Sequence, residues 1–187
     1  MTEIIEHFSK YITVSNALEN EIINRTRFQS LKKGCLIHDA DKICVESHFI
    51  HKGVLRLYFT KKEKEISEYF CGEGEWANSP RSFIFRELDH YYIDTLEDSE
   101  VFTLHVDDLM FLFGNFPEME HYARLSMGTM FYQLIERITS MHFTNAKERY
   151  EHFCQTYKKL HPRLPLGMVA SYLGITQETL SRVRAKR

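Results

Sequence analysis

Between residues 28 and 106, apolar and polar side chains alternate in short runs that end at turn residues. Phe49 and Ile50 lead into Lys52-Gly53, and VLRLYF (54–59) alternates from there. Lys61, Lys62, Glu63 and Lys64 form a polar turn, and EISEYF (65–70) alternates again. YYIDTL (91–96) and EVFTLHV (100–106) repeat the pattern across the acidic turn Glu97-Asp98. Strands this short and closely spaced predict an antiparallel sandwich or barrel. Two short helices are expected beside it: 15–26, capped by Ser15, and 108–114, capped by Asp107 or Asp108.

After Pro117 the period changes from two to between three and four. Met127, Phe131, Leu134, Ile138 and Met141 recur at alternating spacings of four and three, a coiled-coil-like seam. Only Gly128 interrupts the run before 143, so one helix about 40 Å long is predicted. Met119, Tyr122, Leu125, Met130 and Ile135 widen its apolar surface beyond what one contact needs. Two apolar faces need two partners, which points to a second copy of the chain. A further helix is expected over 145–160, with Tyr150, Phe153, Cys154 and Tyr157 on one face, until Pro162 and Pro165 end it.

LGMVASYLGITQETLSRVRA (166–185) has the spacing of a helix-turn-helix. Ala170 is small where two helices cross, and Gly174 suits the left-handed conformation of the turn. Val169, Leu173, Ile175, Leu180 and Val183 are apolar at the positions that face a core. Thr176 is a capping residue for the second helix. Gln177, Glu178, Ser181, Arg182 and Lys186 are left outward, side chains that can address base edges and phosphates.

Charge sharpens this reading. The 187-residue chain has a formal net charge of -2, which indicates no partner by itself. Residues 145–187, however, hold nine Lys/Arg against three Asp/Glu, on an otherwise acidic body. A basic segment on an acidic body suggests contact with a polyanion. No run is long and apolar enough for a membrane span, and the N-terminus carries acids rather than a signal peptide, so a cytoplasmic chain is expected. The four cysteines (35, 44, 71 and 154) lack metal-ligand spacing and read as reduced thiols.

Taken together, the chain resembles the Crp/Fnr family of bacterial transcription regulators over nearly its whole length. The resemblance rests on Gly34 in LKKGCLI, FIHKGVLRLYF (49–59), EYFCGEGEW (68–76), TLEDSEVFTL (95–104), the long helix, and YLGITQETLSRVR (172–184). It implies an α+β chain. A double-stranded β-helix (jelly-roll) sensor like the cyclic nucleotide-binding domain would cover 1–116, a dimerisation helix 117–143, and a helix-turn-helix domain 144–187. The expected partners are a palindromic double-stranded DNA operator, a second copy of the chain, RNA polymerase and an effector of unspecified identity. No membrane and no cofactor are expected. By resemblance, Gln177, Glu178, Ser181 and Arg182 would contact bases. Thr176, Thr179, Arg184 and Lys186 would contact phosphate, with Lys158, Lys159 and Arg163 as further phosphate candidates. Met127, Phe131, Leu134, Ile138 and Met141 would form the dimer interface. Gly74, Glu75, Trp76, Arg81 and Ser82 would stand at a ligand pocket.

Two departures from the family pattern matter. In cyclic-nucleotide binders a Gly-Glu pair is followed by Arg-Ser just before the next strand. Here Gly74-Glu75 is present, but Arg81-Ser82 comes early, and the register of YYIDTLEDSEV places Asp89 and His90 at the Arg and Ser positions. An Asp there would repel a cyclic phosphate. The family also usually carries a small β-hairpin wing before the helix-turn-helix, and the five residues between Leu160 and Leu166 are too few for one.

Other chemistries find little footing. Cupins share the double-sheet architecture but hold a metal through H-x-H, which is missing here. His48 and His51 would point to opposite faces of a strand. His38, His48, His51, His90 and His105 have no spacing that selects a haem ligand, and Cys35, Cys44 and Cys71 no feature that marks a thiol switch. No catalytic residue is expected. The alternative is a ligand- or protein-binding β-roll whose helix-turn-helix contacts protein instead of DNA.

Overall fold

A computed structural model describes residues 2–143 and 145–185. Its helices in chain order are α1 (Thr2–Ser9), α2 (Asn16–Arg25), α3 (Pro80–Phe85), α4 (Val106–Asn115), α5 (Pro117–Phe143), α6 (Ala146–Thr156), α7 (Leu166–Leu173) and α8 (Gln177–Ala185). The strands are β1 (Thr26–Leu31), β2 (Leu36–His38), β3 (Glu46–Lys52), β4 (Leu55–Lys61), β5 (Lys64–Cys71), β6 (Trp76–Ala77), β7 (Tyr91–Thr95) and β8 (Ser99–His105). They form two four-stranded antiparallel sheets, ordered β1-β8-β3-β6 and β2-β7-β4-β5. Neighbours distant in sequence, such as β1 and β8, make this a jelly roll and not a meander.

Ile50, Leu55, Leu57, Cys71, Ala77, Ile93 and Val101 fill the space between the sheets. The opposite face of the first sheet carries Phe49, Phe102 and Leu104, which α1, α2 and α4 cover with Ile4, Phe8, Leu18, Ile22 and Leu112. As the alternation requires, His48 and His51 lie on different faces of β3. His48 is buried beside Thr103 (2.9 Å), whereas His51 contacts the Phe102 ring.

Ser15 caps α2 by accepting from the Leu18 amide, as expected. The cap of α4 differs from expectation. The helix starts at Val106, and His105 Nδ1 accepts from the Asp107 amide. The ring nitrogen takes the capping place, and both Asp107 and Asp108 then fall in the first turn, where the helix dipole favours them. The sixth helix begins with a full capping box between Asn145 and Glu148.

The roll-facing side of α5 is marked by Met119 and Tyr122, buried against α1, and by Gln133 and Arg137, which meet Tyr69 and Glu68 of β5. Projected at about 100° per residue, Met127, Met130, Phe131, Leu134, Ile135, Ile138 and Met141 lie within an adjacent arc of about 140°. All seven are exposed, Phe131 by 65%. The helix therefore has two faces, of which its own roll covers one.

Helices α6, α7 and α8 pack around Tyr150, Phe153, Cys154, Tyr157, Leu160, Val169, Ala170, Leu173 and Leu180. Their core is continuous with Val54 and Phe70, which lie on the outer face of the second sheet. No strand occurs after β8 among the described residues; a 3-10 turn, His161–Arg163, connects α6 to α7.

Candidate nucleic-acid interface

Helix α7 ends where Gly174 adopts φ +66°, its amide donating to Ala170 and Ser171 carbonyls. That left-handed residue turns the chain so that α8 starts three positions later. Thr176 caps α8: its hydroxyl oxygen accepts from the Thr179 amide (3.2 Å) and meets the Thr179 hydroxyl at 3.2 Å. Leu180 is the inward anchor of α8, fully buried, with Ile175 and Val183 packed beside it.

Gln177, Glu178, Ser181, Arg182 and Arg184 are exposed on α8. The Gln177 amide leans over Gly167, where a Cβ would stand 2.6 Å from Nε2. Arg182 donates to the Thr179 hydroxyl (3.3 Å), a contact on the open surface. The Thr176 hydroxyl, followed by Glu178's own backbone, holds the Glu178 carboxyl below its usual range. It is thus an anion at neutral pH, able to accept but not donate. Helix α8 thus presents an acceptor, two guanidinium groups and two side chains, Gln177 and Ser181, that both donate and accept. Lys158 and Lys159 are also exposed, in the turn that follows α6. Lys186 lies outside the described residues.

Arg163, read from sequence as a phosphate candidate, is engaged elsewhere. It donates to both oxygens of Glu73 (2.8 and 3.0 Å) and also pairs with Glu97. Burial alone would raise the Glu73 carboxyl, but Arg163 and the Gly53 amide outweigh it and hold it at about 2.

The loop expected to line a ligand pocket is tied inward. Gly74, at φ +84°, donates its amide to the Ile50 carbonyl, and Glu75 accepts from the Gly72 amide. The Trp76 ring is tilted against those of Phe8 and Phe49 and meets that of His7 edge-on. Its indole can only donate, and it donates to His7 Nε2 (3.3 Å), so the His7 proton is on Nδ1. Tyr122 of α5 sits 2.8 Å from the same nitrogen. Arg81 turns outward to Glu87, whereas Ser82 is buried and accepts from the Cys44 amide. Asp89 lies at the start of α3, accepting from the Ser82 amide (3.1 Å) and, with its other oxygen, from the Tyr91 amide (3.0 Å). Its Ser79 partner is the residue before that helix. A carboxylate of the chain itself therefore satisfies the donors there.

Burial raises the Cys44 and Cys71 thiols, which are unreactive in that form. No group of three or more His, Cys, Asp or Glu is arranged to hold a metal among the described residues. None of the described helices is long and apolar enough to cross a membrane.

These features define a jelly roll joined by a long helix to a helix-turn-helix, the architecture of the Crp/Fnr regulators. A putative Crp/Fnr-family transcriptional regulator from Eubacterium rectale is 17% identical, with a TM-score of 0.70 over 90% of this chain and 81% of that one. A CooA mutant from Carboxydothermus hydrogenoformans is 16% identical, with a TM-score of 0.70 over 94% and 85%. The c-di-GMP-responsive global regulator CLP of Xanthomonas campestris is 13% identical, with a TM-score of 0.72 over 92% and 91%. No family model and no curated protein matches the chain. The likeness is one of fold.

Among residues that sequence reasoning missed, Phe70, Arg137, Ser171 and Tyr172 join the roll to the helix-turn-helix unit. The available signal was Tyr69-Phe70-Cys71, three successive apolar residues, which mark a strand buried on both faces.

Proposed function

We propose that the chain is a dimeric, sequence-specific DNA-binding transcription regulator of the Crp/Fnr type, divided into a roll (1–116), a dimer helix (117–143) and a helix-turn-helix unit (144–187). The observation that carries this reading is α8 itself: Gln177, Glu178, Ser181 and Arg182 exposed after the left-handed Gly174, in the basic part of the chain. Two chains pair through Met127, Phe131, Leu134, Ile138 and Met141. Pairing sets two α8 helices at half-sites one helical turn apart, about 34 Å. Arg182 donates to guanine and Glu178 accepts from cytosine. Thr176, Thr179, Arg184 and Lys186 lie along the phosphates and add affinity without sequence information. RNA polymerase is the downstream partner, and no cofactor takes part. Cyclic AMP is not sensed through the usual cassette, because Asp89 occupies the donors at the start of α3.

The test is selection of randomised duplex DNA by the purified protein at near-physiological salt, without added ligand. Enrichment of a palindrome supports a ligand-independent dimer. Enrichment only after cell extract or nucleotide is added makes the roll a sensor. In a second reading the helix-turn-helix contacts protein, and the 3-10 turn standing in the wing's place favours it. Arg182→Ala separates the two: it lowers affinity for the selected duplex at least tenfold in the first and leaves partner binding unrelated to DNA in the second.

A further inference from the structure

We infer that the roll takes the place of the missing wing, and that the helix-turn-helix unit works while docked on strands β4 and β5 instead of swinging free of them. The functional half of this inference rests on the DNA-binding reading above; the docking half does not.

The outer face of an antiparallel sheet is ordinarily solvated and polar. Here Phe70 points outward from β5 and is nonetheless fully buried. Its ring lies 5.7 Å from those of Tyr157 and Tyr172 and 6.3 Å from that of Phe153. Val54, just before β4, belongs to the same cluster. The apolar core of α6–α8 is therefore not closed by those helices alone. A segment of about forty residues is near the lower limit for a core of its own, and the roll supplies the rest.

Polar contacts fix the register of this docking. The Ser171 hydroxyl oxygen on α7 accepts from the Ser67 amide (3.1 Å) and lies 3.1 Å from the Ser67 hydroxyl, which is itself fully buried. Arg137 donates to the Glu68 carbonyl (2.6 Å) and carboxylate (2.7 Å) while lying over the Tyr172 ring. Arg163 clasps Glu73 and Glu97 at the far end. Gly72 allows the closest approach: a Cβ there would stand 2.4 Å from a methyl of Leu160.

The docked residues belong to α6, α7, the 3-10 turn and the segment 157–160 that leads into that turn. The outward side chains of α8 remain exposed with the unit in place. Undocking is thus not needed to uncover the recognition surface, and it would bare Phe70, Val54 and the facing tyrosines.

The experiment is a full-length Ser67→Cys/Ser171→Cys variant with Cys35→Ser, compared oxidised and reduced. The disulfide is expected to form readily, because the two hydroxyls already touch. The oxidised form is expected to bind the selected duplex within threefold of the reduced form. Binding at least tenfold weaker when oxidised, restored by reductant, overturns the inference. So does failure of the disulfide to form in folded protein. Hydrogen exchange on the unmodified chain gives a DNA-independent readout: amides of α7 and β5 should become exchangeable together. Opening of α6–α8 well before β5 shows an independent domain and overturns the docking. If docking holds but neither redox form binds any duplex, the docking inference stands while the functional half, together with the DNA-binding reading, falls.

Discussion

At the scale of single residues, two of the three histidines buried among the described residues, His7 and His48, couple stability to pH. Burial holds both His7 and His48 neutral, at about 4 against an ordinary 6.5. In the unfolded chain both regain the ordinary value. Between pH 6.5 and about 4 the unfolded chain therefore binds protons that the folded chain refuses. Each histidine removes stability as the pH falls through that window, at about 1.4 kcal/mol per pH unit, and neither alters its pH dependence above it. Urea unfolding at pH 7.5, 6 and 5 should show this slope, and His48→Gln should flatten it by about one proton. An unchanged slope in the His7→Gln/His48→Gln double variant would refute the assignment. The His7 protonation state also matters for the roll: a protonated ring could no longer accept from Trp76, the link between the Gly74-Glu75 loop and α5.

At the scale of elements, the exposed face of α5 makes the next prediction. Ile138→Glu places a charge in the middle of the proposed seam without touching the roll-facing side. The variant should keep the melting profile of the roll and sediment as a monomer at concentrations where the parent is a dimer. Two-chain sedimentation by the variant would place the interface elsewhere. The apolar stripe on this helix was readable from sequence because a helical repeat holds over two heptads. The four strands 54–59, 65–70, 91–96 and 100–106 were readable for the same reason, with a period of two. Helix α1 also escaped: its buried Ile4, His7 and Phe8 do share one face, but over eight residues only. The rest of what escaped had no such period. Helix α3 is six residues long and begins at Pro80, too short to show a face. Strand β6 has two residues. Strand β3 carries His48 and Ser47 into buried positions where alternation leads one to look for apolar side chains. In the candidate site, the composition and spacing of α8 were legible. The capture of Arg163 by Glu73 and Glu97 was not, since it joins positions 90 and 66 residues apart.

At the scale of the whole molecule, two rigid connections meet in α5. One side of the helix is fastened to its own roll through Tyr122, Gln133 and Arg137, and the neighbouring apolar side is exposed. The helix-turn-helix unit in turn shares its core with the roll. In a dimer built this way neither α8 has a hinge through which to seek its half-site, so the spacing between half-sites is set by the protein. A loosely tethered pair would tolerate altered spacing, because each recognition helix could move to follow its groove. The docked pair should not. Inserting about five base pairs, half a helical turn, at the centre of the selected operator rotates one half-site to the far side of the duplex. Affinity should then fall to the level of unrelated DNA. Restoring the phase with about ten base pairs should not recover it, because the distance is then wrong by about 34 Å. Fluorescence titration of the three duplexes at one fixed salt concentration measures this, since the phosphate contribution is common to all three. Recovery of binding with the ten-base-pair insertion would mean that the two recognition helices can separate, and the rigid architecture would have to give way to a tethered one.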